Sequence, residues 1–320
     1  MTAVDGELGR IAQATVLDGG LGTQLADAGV DVRAPLWSAQ ALIDAPDAVL
    51  AVHRAAFAAG ADVAITASYQ VSVDGFARAG LDAATAHRML RRSVDLARRA
   101  RDEAGRGRVA ASVGPYGAML ADGSEYTGDY GLDVGSLRRW HRDRLRRLAD
   151  AGADLLAVET IPSLREVEAI AAELEGLGVP AWVSVTPADG RMRTGEPLAE
   201  AFAVAAGPPE VVAVGVNCCH PDEVAGAVAV ARAVAGKPVV AYPNSGEVWD
   251  ASSRTWHGAG GFDADAVRRW HAAGAELIGG CCRTGPAEIA AIARALRPDE
   301  DAGVGAGAGA RDLARSDGGA

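Results

Sequence analysis

Aromatic residues, lysine and cysteine are all scarce in this chain of 320 residues. Phe, Trp and Tyr together make up 5% of it, so Ala, Val and Leu must fill the core. The net formal charge of -11 argues against the concentrated basic surface that nucleic-acid binding needs. No apolar run approaches the roughly 18 residues of a membrane span, and the polar first residues carry no secretory signal. We therefore expect a cytoplasmic protein that binds neither nucleic acid nor membrane.

An apolar strand followed by a helical pattern recurs eight times along the chain. The predicted strands are residues 14–17, 63–66, 109–113, 155–158, 181–185, 211–216, 239–242 and 277–278. Eight such units within residues 13–297 are typical of a (β/α)8 TIM barrel, although a doubly wound open sheet has the same alternation. Residues 1–12 are expected to form a flexible leader, and the Gly/Ala-rich residues 298–320 a disordered tail.

All four cysteines directly follow two of these strands. Cys218 and Cys219 come after the sixth strand, and Cys281 and Cys282 come after the eighth. In a reducing compartment, metal binding or catalysis is commoner for such cysteines than disulfide formation. Three thiolates suit zinc and leave its fourth position open, as in a catalytic site. Inert buried cysteines and a structural zinc site are the alternatives.

The choice of three ligands among these cysteines is not fixed by spacing, because either Cys218 or Cys219 could serve. Adjacent side chains on a regular strand point to opposite faces. The Gly279-Gly280 pair ahead of Cys281 and Cys282 allows a sharp bend, so both of those thiols can face one metal ion.

Other chemistry-bearing residues also follow the predicted strands, at the end where barrel enzymes place their sites. They are Asp18, Thr66, Tyr69, Glu159 and Asn244, and we expect these residues and Trp37 to contact the substrate. Each carboxylate has a simpler interpretation, Asp18 as a turn former and Glu159 as an acid at a helix N-terminus. Aromatic rings in the same loops could contact a cation, although packing is an alternative for each: Trp37, Tyr69, Tyr126, Tyr130 and Trp249.

The scarcity of lysine and the absence of two catalytic motifs argue against several enzyme classes. Lys237 is the only lysine and precedes the seventh strand, at the wrong end for a Schiff base. The chain has no HExxH pattern, which argues against a hydrolytic zinc site built on histidine, and no GxSxG pattern.

The sequence resembles the homocysteine S-methyltransferase family from about Val16 to Leu296. The matching stretches are residues 17–25 (Leu-Asp-Gly-Gly-Leu-Gly-Thr-Gln-Leu), 36–39, 66–70, 112–118, 159–162, 215–218 (Gly-Val-Asn-Cys) and 279–282 (Gly-Gly-Cys-Cys). The resemblance implies a (β/α)8 barrel whose zinc is held by Cys218, Cys281 and Cys282, with Cys219 standing where the family varies. It also implies that Asp18 and Glu159 bind homocysteine, with Glu159 near the amino group.

The resemblance implies a methyl donor as well as an acceptor. Residues 114–126 are similar to family members that use S-methylmethionine or S-adenosylmethionine, whereas Thr160 stands where betaine-using members carry an aromatic residue. We expect zinc-dependent transfer of a methyl group from a sulfonium to the homocysteine thiolate, giving methionine. The alternatives are a methyltransferase acting on selenocysteine or another thiol, and a non-catalytic, redox-sensing zinc–thiolate barrel.

Overall fold

Eight parallel strands form a barrel in the computed structural model. The structure describes residues 14–32, 36–250, 255–258, 260 and 263–297, without the side chains of residues 248–250, 255 and 256. The predicted leader, 1–12, and tail, 298–320, lie outside these ranges. The barrel strands are β1 (Thr15–Val16), β2 (Val63–Ile65), β3 (Arg108–Val113), β4 (Leu155–Ile161), β5 (Ala181–Val185), β6 (Val211–Asn217), β7 (Val239–Tyr242) and β10 (Ala275–Ile278).

The sheet closes on itself, which an open doubly wound sheet does not do. The hydrogen-bonded order is β1-β10-β7-β6-β5-β4-β3-β2, with every neighbouring pair parallel. A parallel bridge between Leu17 and Val63 joins the first strand to the second. The backbone N–H of Asp18 donates to the carbonyl oxygen of Val63 at 3.1 Å beside this bridge. The predicted (β/α)8 TIM barrel is confirmed.

Helices connect the strands and cover the outside of the barrel. Their bounds are α1 (Leu21–Asp27), α2 (Ser38–Asp44), α3 (Pro46–Ala58), α4 (Val73–Arg78), α5 (Ala83–Ala104), α6 (Tyr116–Leu120), α7 (Val134–Asp150), α8 (Leu164–Leu174), α9 (Leu198–Ala205), α10 (Pro221–Ala235), α11 (Ala264–Ala273) and α12 (Pro286–Leu296). Helix α7 begins at Val134, because the Asp133 side chain accepts the Ser136 N–H at 2.7 Å and caps the helix. No described helix combines the length and the apolar character that a membrane crossing needs.

Several elements are additional to the eight predicted strand–helix units. They are the short helices α1, α2, α4 and α6, a 3-10 turn (Ser124–Tyr126), and an antiparallel ribbon of β8 (Val248–Asp250) and β9 (Thr255–His257). All of them belong to segments that follow barrel strands at their carboxyl ends. They therefore enlarge the face of the barrel on which the predicted site lies.

Two large aromatic side chains fill the barrel interior beneath that face. Trp182 on β5 and Tyr242 on β7 are fully buried, with ring centroids 6.2 Å apart in an edge-on arrangement. Trp182 Nε1–H donates to Tyr242 Oη at 3.0 Å. The remainder of this inner cluster consists of aliphatic side chains, Leu17, Val63, Ala110, Leu155, Ala157, Ala213, Val240 and Leu277. Trp182 and Tyr242, two of the few aromatic residues of the chain, thus form the floor of the candidate site.

Candidate metal and substrate site

A cavity of about 380 Å³ opens at the carboxyl ends of the barrel strands. The carboxyl end of β4 and the segments that follow β1, β2, β3, β6 and β10 contribute to its walls. Most of the residues predicted for the site line it, namely Trp37, Thr66, Tyr69, Tyr126, Glu159, Cys218, Cys281 and Cys282. Residues that lie far apart along the chain are therefore brought together in one cavity.

Three cysteine sulfur atoms cluster at one side of this cavity. The Sγ atoms of Cys218, Cys281 and Cys282 all lie within 4.8 Å of one another. Cys218 and Cys281 are joined by a disulfide bond, whereas the sequence predicted free thiols, and Cys282 Sγ lies 4.0 Å from Cys281 Sγ. The two strand ends bring these sulfurs close enough to bond. A tetrahedral zinc ion with Zn–S bonds of about 2.3 Å holds its sulfurs about 3.8 Å apart, so the reduced cluster fits this geometry.

The backbone around β10 turns both of its cysteines to the same side. Cys281 N–H donates to the Pro243 carbonyl at 2.7 Å, and Cys282 N–H donates to Asn244 Oδ1 at 3.1 Å. Asn244 was predicted to contact substrate, but it is not among the cavity-lining residues. The structure gives its amide a different contact, with the backbone of a cysteine in the cluster. Its predicted substrate contact stays a prediction.

Close packing against the loop after β1 also sets the position of Cys281. A Cβ added to Gly20 would collide with the carbonyl oxygen of Cys281. The N–H of Gly20 donates to the carbonyl oxygen of Thr284 at 3.0 Å, just beyond the two cysteines. Glycine is therefore required at this position if the two loops are to meet.

Cys219 and His220 lie outside the cluster. Cys219 is buried in the outer core between sheet and helices, and burial raises the pKa of its thiol to about 12. His220 is exposed and begins α10, where its Nδ1 accepts the N–H of Asp222 at 3.3 Å. Of the two cysteines that spacing could not separate, Cys218 is the one in the cavity wall.

Two carboxylates predicted to bind substrate are buried, Glu159 in the cavity wall and Asp18 just outside the residues that line it. Asp18 Oδ2 accepts the N–H of Ile65 at 2.8 Å, while its Oδ1 is buried without a partner in the described part of the chain. Burial raises the pKa of Asp18 well above its ordinary value, and the charge of Glu159 raises it further. Burial is also the main reason that the pKa of Glu159 rises to about 7. A cationic ligand would stabilise the ionised form of both groups.

Glu159 is oriented by two residues that the sequence did not single out. The hydroxyl of Ser112, on β3, donates to Glu159 Oε1, and the nearby hydroxyl of Tyr242 favours the ionised form of the same carboxylate. Because Tyr242 accepts a hydrogen bond from Trp182, the barrel floor fixes the hydroxyl beside this carboxylate. The position of Tyr242 at the end of a barrel strand is the feature of the sequence that could have indicated this role.

The aromatic residues predicted around the site separate into two groups. Trp37, Tyr69 and Tyr126 line the cavity. Tyr130 instead packs against Tyr116, with ring centroids 5.3 Å apart, and is absent from the cavity wall. The side chain of Trp249 lies outside the described atoms.

Comparison with known proteins gives concordant matches over nearly the whole chain. The family model described as homocysteine S-methyltransferase matches residues 15–296. The chain is 46% identical to homocysteine S-methyltransferase of Escherichia coli strain K12, covering 87% of this chain and 93% of that protein. It is 47% identical to homocysteine S-methyltransferase 4 of Zea mays, covering 89% of this chain and 90% of that protein.

Solved structures show the same similarity. The metallated form of the homocysteine methyltransferase MmuM from Escherichia coli superposes with a TM-score of 0.80 at 42% identity, covering 90% of this chain and 98% of that one. The oxidized form of the same protein superposes with a TM-score of 0.81 at 42% identity, covering 91% and 99%.

Proposed function

Since this chain belongs to the homocysteine S-methyltransferase family, we propose that it transfers a methyl group from a sulfonium donor to homocysteine, giving methionine. The observation that carries this proposal is the clustering of three cysteine sulfurs in the wall of a cavity that also holds buried carboxylates. This arrangement offers a soft-metal site for a thiol and acidic groups for an ammonium. Homocysteine has both of these groups.

The resident metal in this proposal is zinc, held by Cys218, Cys281 and Cys282. A metallated form exists for the related Escherichia coli enzyme, and three thiolates are a ligand set that zinc favours. Zinc at this position would lower the pKa of the homocysteine thiol and hold its thiolate, which is the nucleophilic form. Cys218 and Cys281 bind as thiolates only after their disulfide is reduced.

The carboxylates of Glu159 and Asp18 bind the ammonium group of homocysteine. Ser112 and Tyr242 hold Glu159, and the N–H of Ile65 holds one oxygen of Asp18. Asp18 Oδ1 is left to accept from the substrate. With its ammonium fixed at these groups, homocysteine has its sulfur directed towards the cysteine cluster in the same cavity.

The donor is a sulfonium, and S-methylmethionine is the donor that we propose. In the transfer, the homocysteine thiolate attacks the methyl carbon, a new S–C bond forms, and the electrons of the broken bond stay on the donor sulfur. The donor leaves as a neutral thioether, and the homocysteine thiol proton has already passed to solvent. The aromatic side chain of Tyr69, in the cavity wall, suits a cation that carries methyl groups.

Methyl-labelled S-methylmethionine tests this function. The zinc-loaded enzyme, kept under a thiol reductant, is incubated with homocysteine, and methionine is analysed by mass spectrometry. We expect the label in newly formed methionine, and slower transfer when selenocysteine or cysteine replaces homocysteine. No label in methionine with either sulfonium, S-methylmethionine or S-adenosylmethionine, would overturn the proposed function.

The disulfide between Cys218 and Cys281 is the one observation relevant to the redox-sensing alternative. An oxidized form is also known for the Escherichia coli homocysteine methyltransferase, so such a bond does not separate a sensor from an enzyme. The labelling experiment does separate them, because a sensor retains zinc but forms no methionine.

A further inference from the structure

A further buried carboxylate, Glu125, lies in the same cavity wall as Glu159. It belongs to a 3-10 turn, Ser124–Tyr126, in the segment after β3, and only 7% of its surface is exposed. Its Oε2 is buried without a hydrogen-bond partner, and no ion pair reaches it within the described residues. A buried carboxylate without a partner is costly, so a cationic ligand is the natural partner for this one.

The turn that carries Glu125 is tightly seated against its surroundings. A Cβ added to Gly117 would collide with the backbone nitrogen of Glu125, so α6 and the turn are in direct contact. Asp122 Oδ1 accepts the N–H of Ser124 at 3.0 Å, and the guanidinium of Arg193 lies 5.6 Å from the Tyr126 ring centre. The carboxylate is therefore held in the cavity wall by its local packing. Burial raises the pKa of Glu125 to about 7, as expected for a carboxylate removed from water.

The reaction brings other organic cations to the cavity besides the one that homocysteine carries. Homocysteine brings one ammonium, which the proposed function gives to Glu159 and Asp18. A sulfonium amino acid brings two further cations, its sulfonium and its own ammonium. Among the described residues that line the cavity, Glu125 is the remaining buried carboxylate for one of these two, since Asp27 in the same wall is exposed.

The chemistry of transfer indicates which of the two cations a carboxylate should hold. The sulfonium loses its positive charge as the methyl group moves to the thiolate. A carboxylate beside it would stabilise the reactants more than the transition state and would slow the reaction. The ammonium keeps its charge throughout, so a carboxylate there binds the donor without this penalty. An aromatic ring, such as that of Tyr69 in the cavity wall, suits the sulfonium better.

We propose that Glu125 binds the ammonium group of the methyl donor and thereby selects sulfonium donors that are amino acids. This specificity role rests on the proposed function of the site. It excludes donors that lack an amino group, betaine among them.

The test compares Glu125→Gln with Asp129→Asn, which removes the same charge from an exposed position in the same loop. KM and kcat are measured for S-methylmethionine, for the same sulfonium without its amino group, and for homocysteine. We expect Glu125→Gln to raise the KM for S-methylmethionine by about 10- to 100-fold, the effect of losing one charged hydrogen bond. The KM for homocysteine, the KM for the deaminated sulfonium and the zinc content should match the wild type, as should every parameter of Asp129→Asn.

Three other results would overturn this role for Glu125. They are an unchanged KM for S-methylmethionine, an equal rise in KM for the deaminated sulfonium, and a rise confined to homocysteine. Each of these results is measured against an active wild-type enzyme, so none of them contradicts the proposed function. An inactive wild-type enzyme would instead contradict the proposed function itself.

Discussion

The side-chain amide of Asn217 holds Thr160 at two points. Asn217 Oδ1 accepts the backbone N–H of Thr160 at 2.7 Å, and Asn217 Nδ2 donates to Thr160 Oγ1 at 2.8 Å. Thr160 has a φ of 63°, a left-handed conformation that a β-branched residue adopts only under strong constraint. Glu159 precedes Thr160, and Cys218 follows Asn217. The side-chain amide of Asn217 therefore links the backbone next to Glu159 to the backbone next to Cys218.

Replacing Asn217 by alanine should weaken homocysteine binding. The variant leaves the N–H and the hydroxyl of Thr160 without their buried partner, and the strained backbone should relax and move Glu159. We expect the KM for homocysteine to rise about tenfold or more, and the free energy of unfolding to fall by about 1–3 kcal/mol.

Ser93→Ala is the control for this prediction. The Ser93 hydroxyl is buried in α5, donates to the carbonyl oxygen of Leu90 at 2.7 Å, and is not part of the cavity wall. Its loss should lower stability with little change in the KM for homocysteine. Equal KM changes in the two variants would contradict a specific role for the contact between Asn217 and Thr160.

Glycine substitutions test how closely the first loop packs on the cysteines. A methyl group at position 20 would displace the carbonyl of Cys281, so Gly20→Ala should lower zinc affinity by tenfold or more, measured by competition with a chelator. Gly22 lies in α1 with nothing within 4 Å of an added Cβ, so Gly22→Ala should keep zinc affinity. The second change should also stabilise the protein by about 0.5–1 kcal/mol, because alanine favours a helix. Equal zinc affinities in the two variants would contradict this account of the loop.

The raised pKa of Glu159 predicts that this carboxylate destabilises the protein at neutral and alkaline pH. Between its ordinary pKa near 4.5 and the raised value of about 7, the folded chain keeps a proton that the unfolded chain has lost. Stability therefore falls as pH rises through this window. Glu159→Gln should raise the free energy of unfolding at pH 8 by up to about 3 kcal/mol, and this gain should vanish near pH 4.5.

Urea unfolding at the two pH values measures this effect, and homocysteine binding provides the functional readout. The more stable Glu159→Gln variant should bind homocysteine far more weakly, because a neutral amide does not pair with an ammonium as a carboxylate does. A variant that loses stability at pH 8, or that binds homocysteine as the wild type does, would contradict this assignment of Glu159.

Cysteine substitutions should separate the ligand set from Cys219. Cys282→Ala removes a sulfur from the cavity and should reduce zinc content and methyl transfer together, in a barrel that still folds. Cys219→Ala removes a buried thiol from the outer core and should cost stability while keeping one zinc per chain. Metal analysis and circular dichroism measure both effects. Stoichiometric zinc in Cys282→Ala would contradict the proposed ligand set.

The strands and the clustering of the cysteines were predictable because they depend on local pattern. Buried parallel strands read as apolar runs, and residues directly after such runs meet at one face of a barrel. The same pattern could not choose between Cys218 and Cys219, because the choice depends on the backbone at Cys218, whose φ is 48°. Resemblance to a family, rather than spacing, supplied that choice.

The parts that escaped prediction depend on contacts between distant segments. Asn217 acts on Thr160, 57 residues away, and Glu125 enters the cavity only because its turn packs on Gly117. The helices α1 and α4 have seven and six residues, too short for a clear helical period. The bond between Cys218 and Cys281 joins positions 63 residues apart, and reasoning from the cellular compartment predicted free thiols instead.

X-ray absorption at the zinc edge tests the central claim most directly, because it counts the sulfur atoms bound to zinc. The reduced, zinc-loaded protein is measured before and after homocysteine is added. We expect three sulfur ligands at about 2.3 Å without homocysteine and four with it. A sulfur count that does not rise on addition of homocysteine, or that falls below three in its absence, would contradict a zinc site of Cys218, Cys281 and Cys282 that activates the substrate thiol.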